Sequence, residues 1–390
     1  MNITPEQVKQ ITTQLAAVET KTDLAALLSE AQNILHGKTC KPITATAFAY
    51  HMNPYMNKNR YRNFTIKKKS GGARVIYAPT NDLKAILRAL NLILQCMYTP
   101  ARVVTGFVPG RSIVDNAKCH IGHRYVYNID VKDFFHSFDR NRVKLAFMYA
   151  PFNLRDKREP LAFFLASLCT QAFRFPGEVV KAILVQGSPT SPTLTNIICA
   201  TLDRRLTGLA RRFGVTYSRY ADDITFSSEH CPYNREDFQR ELLRIIEGQG
   251  LTLNPDKTRL QNLAHRQEVT GLIVNEKVNV RRRYVKQLRM YLYYLEKYGF
   301  YKAEAIFLRD YLADRKHNVK GNPQMLNVLG GKLDFLRMVK GQEDSTYISL
   351  LQRFQRFDFR PTKISKTLDA WEMGGIKEGM KIYYGQDKEK

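Results

Sequence analysis

The sequence predicts an α+β fold, because apolar residues follow helical spacing in some segments and strand alternation in others. Helical spacing begins in residues 5–18, directly after a capping-box sequence. Strand alternation is clearest in residues 125–131, and residues 64–77 have the pattern of a β-hairpin around a Ser-Gly-Gly turn. We therefore expect N-terminal helices followed by a region that contains an antiparallel sheet.

The remaining elements follow from the same two periodicities, with Gly and Pro marking their ends. The predicted helices cover residues 5–18, 24–35, 83–97, most of 141–183, 194–202, 238–247 and 281–298. The predicted strands cover residues 64–69, 73–77, 125–131, 215–220, 224–227, 269–274 and 277–280. The tail after residue 300 is mixed and basic, and its elements are not predicted. We expect three regions: an N-terminal helical segment (1–50), a central α+β region (51–275) and a C-terminal region (276–390).

The charge balance indicates the kind of partner. The chain has 61 Lys and Arg against 36 Asp and Glu, a formal net charge of +25, which favours a polyanion such as nucleic acid. An acidic membrane surface is the alternative, but no apolar run reaches the ~18 residues of a spanning helix, and the N-terminus has no secretory signal pattern. The six cysteines form no Cys-x-x-Cys pair, as is typical of a reduced cytosolic protein. Composition therefore predicts a soluble, cytoplasmic polyanion-binding protein, and does not by itself predict an enzyme.

Three aspartates form the pattern that does predict chemistry. Asp130 ends a predicted strand, and Asp222 and Asp223 lie in a tight turn between two others. Adjacent carboxylates disfavour joint ionisation, and a divalent cation removes that cost. Hard oxygen ligands suit Mg²⁺, and two such ions can stabilise both oxygens of an in-line phosphoryl transfer. A solvated turn is the alternative for an isolated Asp-Asp pair.

The sequence YADD at residues 220–223 resembles the YxDD box of reverse transcriptases, and the strand that ends at Asp130 resembles their first carboxylate motif. The resemblance implies that Asp130 and Asp222 are the principal ligands of two Mg²⁺ ions, with Asp223 assisting. It also implies a right-hand polymerase: N-terminal helices, fingers and a palm with an antiparallel sheet in residues 51–275, then a mainly helical thumb and C-terminal extension.

Two further motifs resemble the nucleotide site of that family. Residues 186–192, QGSPTSP, are similar to its QGxxxSP element, in which Gly187 beside Gln186 lets the backbone approach the template–nucleotide pair. Phe135 matches an aromatic steric gate that excludes the ribose 2′-hydroxyl and so favours dNTPs. A core phenylalanine is the alternative for Phe135, and core positions are expected for Phe134 and Phe138.

Basic residues also match positions of the family. Lys67 and Arg74, on the two strands of the first hairpin, match the residues that hold the incoming triphosphate, while the neighbouring Lys68 and Lys69 are expected to be solvated or to contact the backbone. Lys257 matches a lysine that donates a proton to departing pyrophosphate. The alternative for the hairpin residues is a charged, solvated face. The alternative for Lys257 is a capping or salt-bridging role.

Two boxes narrow the resemblance to retron reverse transcriptases. The NAxxH box lies at residues 116–120 and the VTG box at residues 269–271, so that the resemblance covers roughly residues 60–290. His120 is not expected to bind zinc, because the sequence offers no second pair of ligands at metal-binding spacing. Two roles remain open for it: it fixes the local structure, or it contacts RNA. The nucleic-acid-binding residues expected from the two boxes are Asn116, His120, Val269, Thr270 and Gly271.

The resemblance also implies partners. A retron polymerase copies part of its own structured non-coding RNA into branched single-stranded msDNA, starting from a 2′-hydroxyl, and usually works with an effector protein in phage defence. The predicted basic helix at 281–298 suits the backbone of such nucleic acids, and about half of its tyrosines should be core. Its expected nucleic-acid-binding residues are Arg281, Arg282, Arg283, Lys286 and Arg289.

Two alternatives remain at this stage. One is a reverse transcriptase of a group II intron or a diversity-generating element, against which the two retron boxes argue. The other is a catalytically idle RNA-binding scaffold for an effector, against which the intact set of three aspartates and Lys257 argues. The RNA recognised, the effector and the oligomeric state cannot be derived from the sequence.

Overall fold

The computed structural model describes residues 3–56, 58–67, 72–177, 179–315, 323–357 and 363–384. The chain divides into two units by its internal contacts. The first unit comprises Met1–Thr270 and Val274–Glu276, and the second comprises Gly271–Ile273 and Lys277–Lys390.

The first unit combines helices with an antiparallel sheet. Its helices are α1 (Pro5–Ala17), α2 (Lys21–His36), α3 (Ala45–Tyr50), α4 (Asn81–Met97), α5 (Ile113–Lys118), α6 (Arg140–Met148), α7 (Glu159–Cys169), α8 (Ser191–Ile198), α9 (Ala200–Arg212) and α10 (Glu236–Glu247). Its strands are β1 (Tyr61–Lys67), β2 (Ala73–Pro79), β3 (Tyr125–Asp130), β4 (Gln171–Phe173), β5 (Lys181–Ile183), β6 (Thr216–Tyr220), β7 (Asp223–Ser228), β8 (Arg259–Asn262) and β9 (Glu268–Val269). The predicted α+β class is confirmed.

The second unit is mainly helical. It contains the short strand β10 (Leu272–Ile273) and the helices α11 (Arg282–Arg315), α12 (Met325–Lys340), α13 (Ser345–Gln355), α14 (Lys363–Gly374) and α15 (Ile376–Tyr384). Apolar side chains of α11, α12 and α13 are buried, among them Leu292, Leu333 and Leu350. In the described part of the chain, no helix is both long enough and apolar enough to span a bilayer.

The N-terminal helices begin and end where local chemistry predicts. Thr4 caps α1, and both arms of its capping box with Gln7 are formed. Thr20 and Asp23 form a second capping box at the start of α2, which ends at Gly37 with a left-handed φ of 61°. These helices bury apolar residues such as Leu28 in the core of the first unit.

The central sheet has the strand order β6-β7-β3-β8, with β6, β7, β3 and β8 antiparallel to their neighbours. Its register places Asp130 of β3 opposite Asp223 of β7. One face of the sheet packs on α10, where the ring of Phe238 lies 5.7 Å from the ring of Phe226. Helix α9 packs on β6. The sheet therefore holds the ends of β3 and β7 in a defined relation.

The structure differs from the sequence expectation in several elements, among them β8, which was not predicted. Residues 141–183 are helical only as far as Cys169 and end in the hairpin of β4 and β5, where Pro176 and Gly177, the latter with φ of 76°, lie between the two strands. The hairpin predicted at 269–280 is reduced to one antiparallel bridge between Ile273 and Asn279. The predicted end of the basic helix near residue 298 is confirmed, because Gly299 has a non-helical φ of 72° and a second helical stretch follows it within α11.

Candidate active site

The three predicted aspartates come together at one end of the central sheet. Asp130 is the last residue of β3 and is 5% exposed, and Asp223, its cross-strand partner, opens β7. Asp222 lies in the turn between β6 and β7, where the Val131 N–H donates to the Asp222 carbonyl over 3.2 Å. Antiparallel register thus brings residues about ninety positions apart in the sequence into one cluster.

The electrostatics of this cluster show an excess of negative charge. Desolvation, and then the nearby Asp130 carboxylate, raises the pKa of Asp222. Desolvation, followed by the charges of Asp222 and Asp130, raises the pKa of Asp223 to about 6, although its side chain keeps an opening to solvent. The cations of Lys257, Arg74 and Arg259 act in the opposite direction. Protonation or a bound cation would relieve this repulsion.

Lys257 lies directly on Asp130. Its Nζ donates to Oδ1 and Oδ2 of Asp130, each over 2.8 Å, although the lysine side chain is 57% exposed. Asn254 donates to Oδ2 over 3.1 Å, and its backbone N–H donates to the Asp130 carbonyl over 2.8 Å. The segment that carries Lys257 is therefore anchored to the end of β3, and the ammonium neutralises the most buried of the three carboxylates.

The donor set suits a divalent metal ion. Carboxylate oxygens are hard ligands of the kind that Mg²⁺ prefers, and the raised pKa values of Asp222 and Asp223 report uncompensated charge. In the described residues, no group of three or more Asp, Glu, His or Cys is arranged to hold a metal ion. The residue types fit the ion, and Lys257 would have to leave the Asp130 oxygens.

The first hairpin brings a cation to the aspartates. Lys67 and Arg74 lie at the end of the β1–β2 pair where the chain connects the two strands, and there Lys67 faces Ala73 and Arg74 faces Ile66. Both basic side chains are exposed. The Arg74 charge lowers the pKa of Asp222, so the guanidinium lies within electrostatic reach of the cluster. The predicted Lys68 and Lys69 lie outside the described residues.

The loop with Gln186 and Gly187 docks on the second strand of that hairpin. The Tyr77 N–H donates to the Gln186 carbonyl over 2.8 Å. Gly187 has a φ of 112°, and a Cβ there would lie 2.5 Å from the Tyr77 carbonyl oxygen and 2.9 Å from Ile76 Cγ2. The glycine is required by this contact between loop and strand.

Aromatic side chains lie beside the turn that carries Asp222. Phe135 is half-buried, and its ring centroid lies 6.0 Å from that of Phe107, which in turn lies 6.4 Å from that of Tyr220. Phe134 and Phe138 are 4% and 0% exposed, which confirms their predicted core positions. Phe135 thus differs from its neighbours in keeping part of its ring accessible.

The NAxxH box is interior, which corrects the expectation that it contacts nucleic acid. Asn116 and His120 are both 0% exposed. The two ring nitrogens of His120 lie 2.7 Å from the hydroxyls of Ser227 and Ser218, so the imidazole joins β7 to β6. Burial lowers the pKa of His120 to about 3. Of the two roles left open for this histidine, the structure favours the structural one.

The VTG box is only partly accessible. Val269 is 0% exposed, so direct contact of its side chain with nucleic acid is also corrected. Thr270 has a φ of 48°, and its hydroxyl donates to the Ile113 carbonyl over 3.2 Å. Gly271, with φ of 82°, is exposed. The box therefore forms a turn tied to the start of α5.

The basic residues predicted on the C-terminal helix are all exposed. Arg281 precedes α11, and the other four lie in its first two turns. Arg282, Lys286 and Arg289 share one face of the helix, while Leu288 and Tyr291 of the opposite face are buried. Tyr291 is 3% exposed, in line with the expectation that some tyrosines of this helix belong to the core.

Several residues next to the turn have contacts there that the sequence did not predict. A Cβ at Gly106 would lie 2.5 Å from the Ala221 nitrogen, so this glycine lets the chain pass directly against the turn. Asn196, 1% exposed, donates to the Gly106 carbonyl over 2.9 Å. Asp203 and Arg219 form a buried ion pair beneath the same turn. The burial of Asp203 could have been predicted, since this residue lies beside Leu202 and Leu206 on the apolar side of a helix.

Comparisons with known proteins agree with the geometry. The family model described as reverse transcriptase (RNA-dependent DNA polymerase) matches residues 66–287. The chain is 34% identical over 301 residues to the retron Mx65 reverse transcriptase of Myxococcus xanthus, which covers 75% of this chain and 66% of the relative. It is 38% identical over 248 residues to the retron Mx162 enzyme of the same organism, covering 58% and 50%.

A third relative is covered more fully. The retron Ec86 reverse transcriptase of Escherichia coli is 34% identical over 245 residues, covering 60% of this chain and 70% of the relative. A solved structure of telomerase from Candida albicans with a TWJ fragment of telomeric RNA aligns with a TM-score of 0.42 at 12% identity, covering 79% of this chain and 66% of that chain. By its family match and these relatives, the chain belongs to the reverse transcriptase family and is of the retron type.

Proposed function

We propose that the chain is an RNA-directed DNA polymerase of a retron. It copies part of a cognate structured non-coding RNA into branched single-stranded msDNA from a 2′-hydroxyl primer, within an antiphage defence system. The observation that carries the polymerase is the register that pairs Asp130 with Asp223 and places Asp222 beside them, with Lys257 and Arg74 acting on the same carboxylates. The names of the retron relatives support the finer assignment.

Two divalent ions would be held by Asp130, Asp222 and Asp223. The hard carboxylate oxygens of these residues favour Mg²⁺. Bound ions supply Lewis-acid stabilisation of the attacking hydroxyl oxygen and of the leaving pyrophosphate oxygen. Arg74, exposed near Asp222, binds phosphate oxygens of the dNTP with its fork of N–H donors. Phe135 presents its accessible edge to the sugar and excludes a ribose 2′-hydroxyl.

Lys257 holds the proton that pyrophosphate needs on departure. Its ammonium is exposed and lies on a short segment, so the four-carbon side chain can move from the Asp130 oxygens to a β-phosphate. The basic face of α11, in the second unit, binds the phosphate backbone of the nucleic acid. An effector protein encoded nearby is the further partner that the retron type implies.

The decisive experiment is primer extension on an RNA template with Asp222→Asn. We expect DNA synthesis to fall by at least about 10²-fold, because a neutral amide replaces a carboxylate that would hold the divalent ions at the reacting oxygens. Asp237→Asn is the matched control, since it is the same chemical change at an ion-paired surface aspartate of α10. Unchanged synthesis by Asp222→Asn would remove the assignment, and loss of synthesis with retained RNA binding supports it.

The retron assignment is tested in cells. The chain, expressed together with its flanking genomic DNA, should yield single-stranded DNA joined to RNA through a 2′–5′ linkage, and the Asp222→Asn variant should not. Synthesis on supplied primers without any branched product in cells would retain the polymerase and reject the retron product.

A further inference from the structure

A charged pair is fully buried directly behind the turn that carries Asp222. Arg219 of β6 is 0% exposed, and Asp203 of α9 is 2% exposed. Arg219 Nε and Nη2 donate to Oδ1 and Oδ2 of Asp203, each over 2.7 Å. The Tyr217 hydroxyl donates to the same Oδ1 over 2.7 Å. This geometry is a bidentate fork with its carboxylate oxygens satisfied.

Stability alone does not account for such a pair. Removing two charges from water costs more than their attraction commonly returns, and well-packed apolar residues of similar volume often replace buried ion pairs without loss of stability. The Asp203 carboxylate stabilises the Arg219 guanidinium and raises its pKa, so the side chain stays charged. Asp203 accepts hydrogen bonds from two nitrogens of this guanidinium, which leaves Nη1 as a further donor.

That donor reaches the turn itself. Arg219 Nη1 donates to the carbonyl oxygen of Ala221 over 3.2 Å. Ala221 has a φ of 59°, a left-handed conformation that is unfavourable for a residue with a Cβ. The Ala221 carbonyl belongs to the peptide plane that leads into Asp222, so holding it sets the direction from which the Asp222 side chain starts.

The next peptide plane is held from the other side. The Asp222 carbonyl accepts from the Val131 N–H over 3.2 Å, next to Asp130. Both peptide planes that flank Asp222 are therefore fixed, one by Arg219 and one by the β3 backbone. The Arg219 backbone is itself held, because its N–H donates to the Val103 carbonyl over 2.8 Å and its carbonyl accepts from the Thr105 N–H over 2.9 Å.

We propose that Arg219, oriented by Asp203, is a positioning residue that fixes the Asp222 carboxylate relative to Asp130 through the Ala221 carbonyl. The inference rests on the proposed polymerase function. Arg219 touches no substrate. It acts by fixing the backbone of Asp222, so that only the side-chain torsions of Asp222 remain free to vary. A carboxylate held in this way meets a metal ion without reorganisation, as outer residues do around other metal sites.

The test compares two equally buried arginines. Arg219→Lys keeps a positive charge for Asp203 but replaces the planar fork by one ammonium, which cannot bond the carboxylate bidentately and reach Ala221 as well. Arg60→Lys is the matched control. Arg60 is also 0% exposed, and its guanidinium donates to backbone carbonyls of Ser167, Leu168 and Thr170, away from the turn.

Three quantities are measured on each variant: Tm, direct binding of Mn²⁺, and primer extension over a range of Mg²⁺ and dNTP concentrations. We expect both variants to lose a similar amount of Tm. Arg219→Lys alone should weaken Mn²⁺ binding by about 10- to 100-fold and lower kcat by on the order of 10²-fold, with an unchanged KM for dNTP. Mn²⁺ binding by Arg219→Lys that equals that of Arg60→Lys would overturn the proposal.

A second variant separates positioning from folding should Arg219→Lys fail to fold. The triple substitution Arg219→Met, Asp203→Leu and Tyr217→Phe replaces the buried polar group by apolar side chains. We expect a Tm close to that of the wild type together with the weakened Mn²⁺ binding, and wild-type Mn²⁺ binding would again overturn the proposal. A wild-type chain that synthesises no DNA would instead contradict the proposed function.

Discussion

At the scale of single residues, Lys257 and a bound metal ion would compete for the same oxygens. The ammonium contacts both oxygens of Asp130 at 2.8 Å, and its charge lowers the pKa of Asp222 and Asp223. The lysine thus stabilises the cluster of aspartates before any cation binds. Its release toward a phosphate would coincide with metal binding, because one charge replaces the other.

This competition predicts opposite effects of Lys257→Gln on the two steps. We expect kcat to fall by about 10²- to 10⁴-fold, the usual contribution of a general acid. Direct Mn²⁺ binding should become tighter, because the neutral amide no longer competes for Asp130. Primer extension and calorimetric Mn²⁺ titration of the same preparation measure both effects.

Lys132→Gln is the control for Lys257→Gln. Lys132 is exposed two residues after Asp130, and its backbone N–H donates to the Thr252 carbonyl. Lys132→Gln removes one positive charge near the site, as Lys257→Gln does, but it removes no contact to Asp130. We therefore expect kcat to stay near the wild-type value. Weaker Mn²⁺ binding in Lys257→Gln would contradict the competition.

The residues of the site differ in how far a sequence can reveal them. Asp130, Asp222 and Asp223 could be predicted to meet, because the two motifs that carry them resemble the carboxylate motifs of reverse transcriptases. The burial of Asn116 and His120 could not, since a polar side chain shows no sign of the hydroxyls that will satisfy it. The sequence offered no indication that Arg219, in a strand, would point inward.

At the scale of elements, one close contact joins the loop of Gln186 to β2. The Tyr77 N–H and the Gln186 carbonyl bond at 2.8 Å, and β2 carries Arg74 toward the aspartates. Only a residue without a Cβ fits at position 187. The placement of the hairpin near the site therefore depends on this contact.

Gly187→Ala tests that contact. We expect a loss of about 1–3 kcal/mol in the free energy of unfolding, because φ of 112° is strained for alanine and the new Cβ would meet the Tyr77 carbonyl. Separation of the loop from β2 should also raise the KM for dNTP, through Arg74. Thermal unfolding and steady-state primer extension measure the two effects.

Gly208→Ala is the matched substitution. Gly208 lies inside α9, and a Cβ there meets no atom within 4 Å. Alanine should therefore raise the free energy of unfolding by about 0.5–1 kcal/mol through its helix propensity. If Gly187→Ala were as stable as Gly208→Ala, the loop would accommodate the Cβ at position 187 without loss of stability.

Element types were predictable where one periodicity extends over many residues, and they were missed where an element is too short to show a periodicity. The capping residues Thr4 and Gln7 mark the start of α1 locally, and the structure confirms both. The pairing of β4 with β5 joins segments on either side of a turn, and its three-residue strands carry too little alternation to stand out. The predicted end of the basic helix near residue 298 is confirmed by the non-helical backbone of Gly299, where a residue with a Cβ would be strained.

At the scale of the whole molecule, the net charge of +25 predicts binding that depends on salt. Each phosphate neutralised by Lys or Arg releases counterions from the nucleic acid. Arg282, Lys286 and Arg289 are exposed on one face of α11. The second unit should therefore supply part of the salt dependence.

Substitution of this face measures its share. Lys286→Gln with Arg289→Gln should reduce the slope of log Kobs against log salt for an RNA–DNA duplex by about 2, because each lost phosphate contact accounts for about 0.9. Arg337→Gln with Lys381→Gln removes the same charge from residues of the second unit that pair with Asp334 and Glu378, and should change the slope less. Fluorescence anisotropy between about 50 and 200 mM salt gives both slopes. Equal slopes for the two double variants would mean that α11 contributes only general charge, and that its exposed basic face does not contact the duplex.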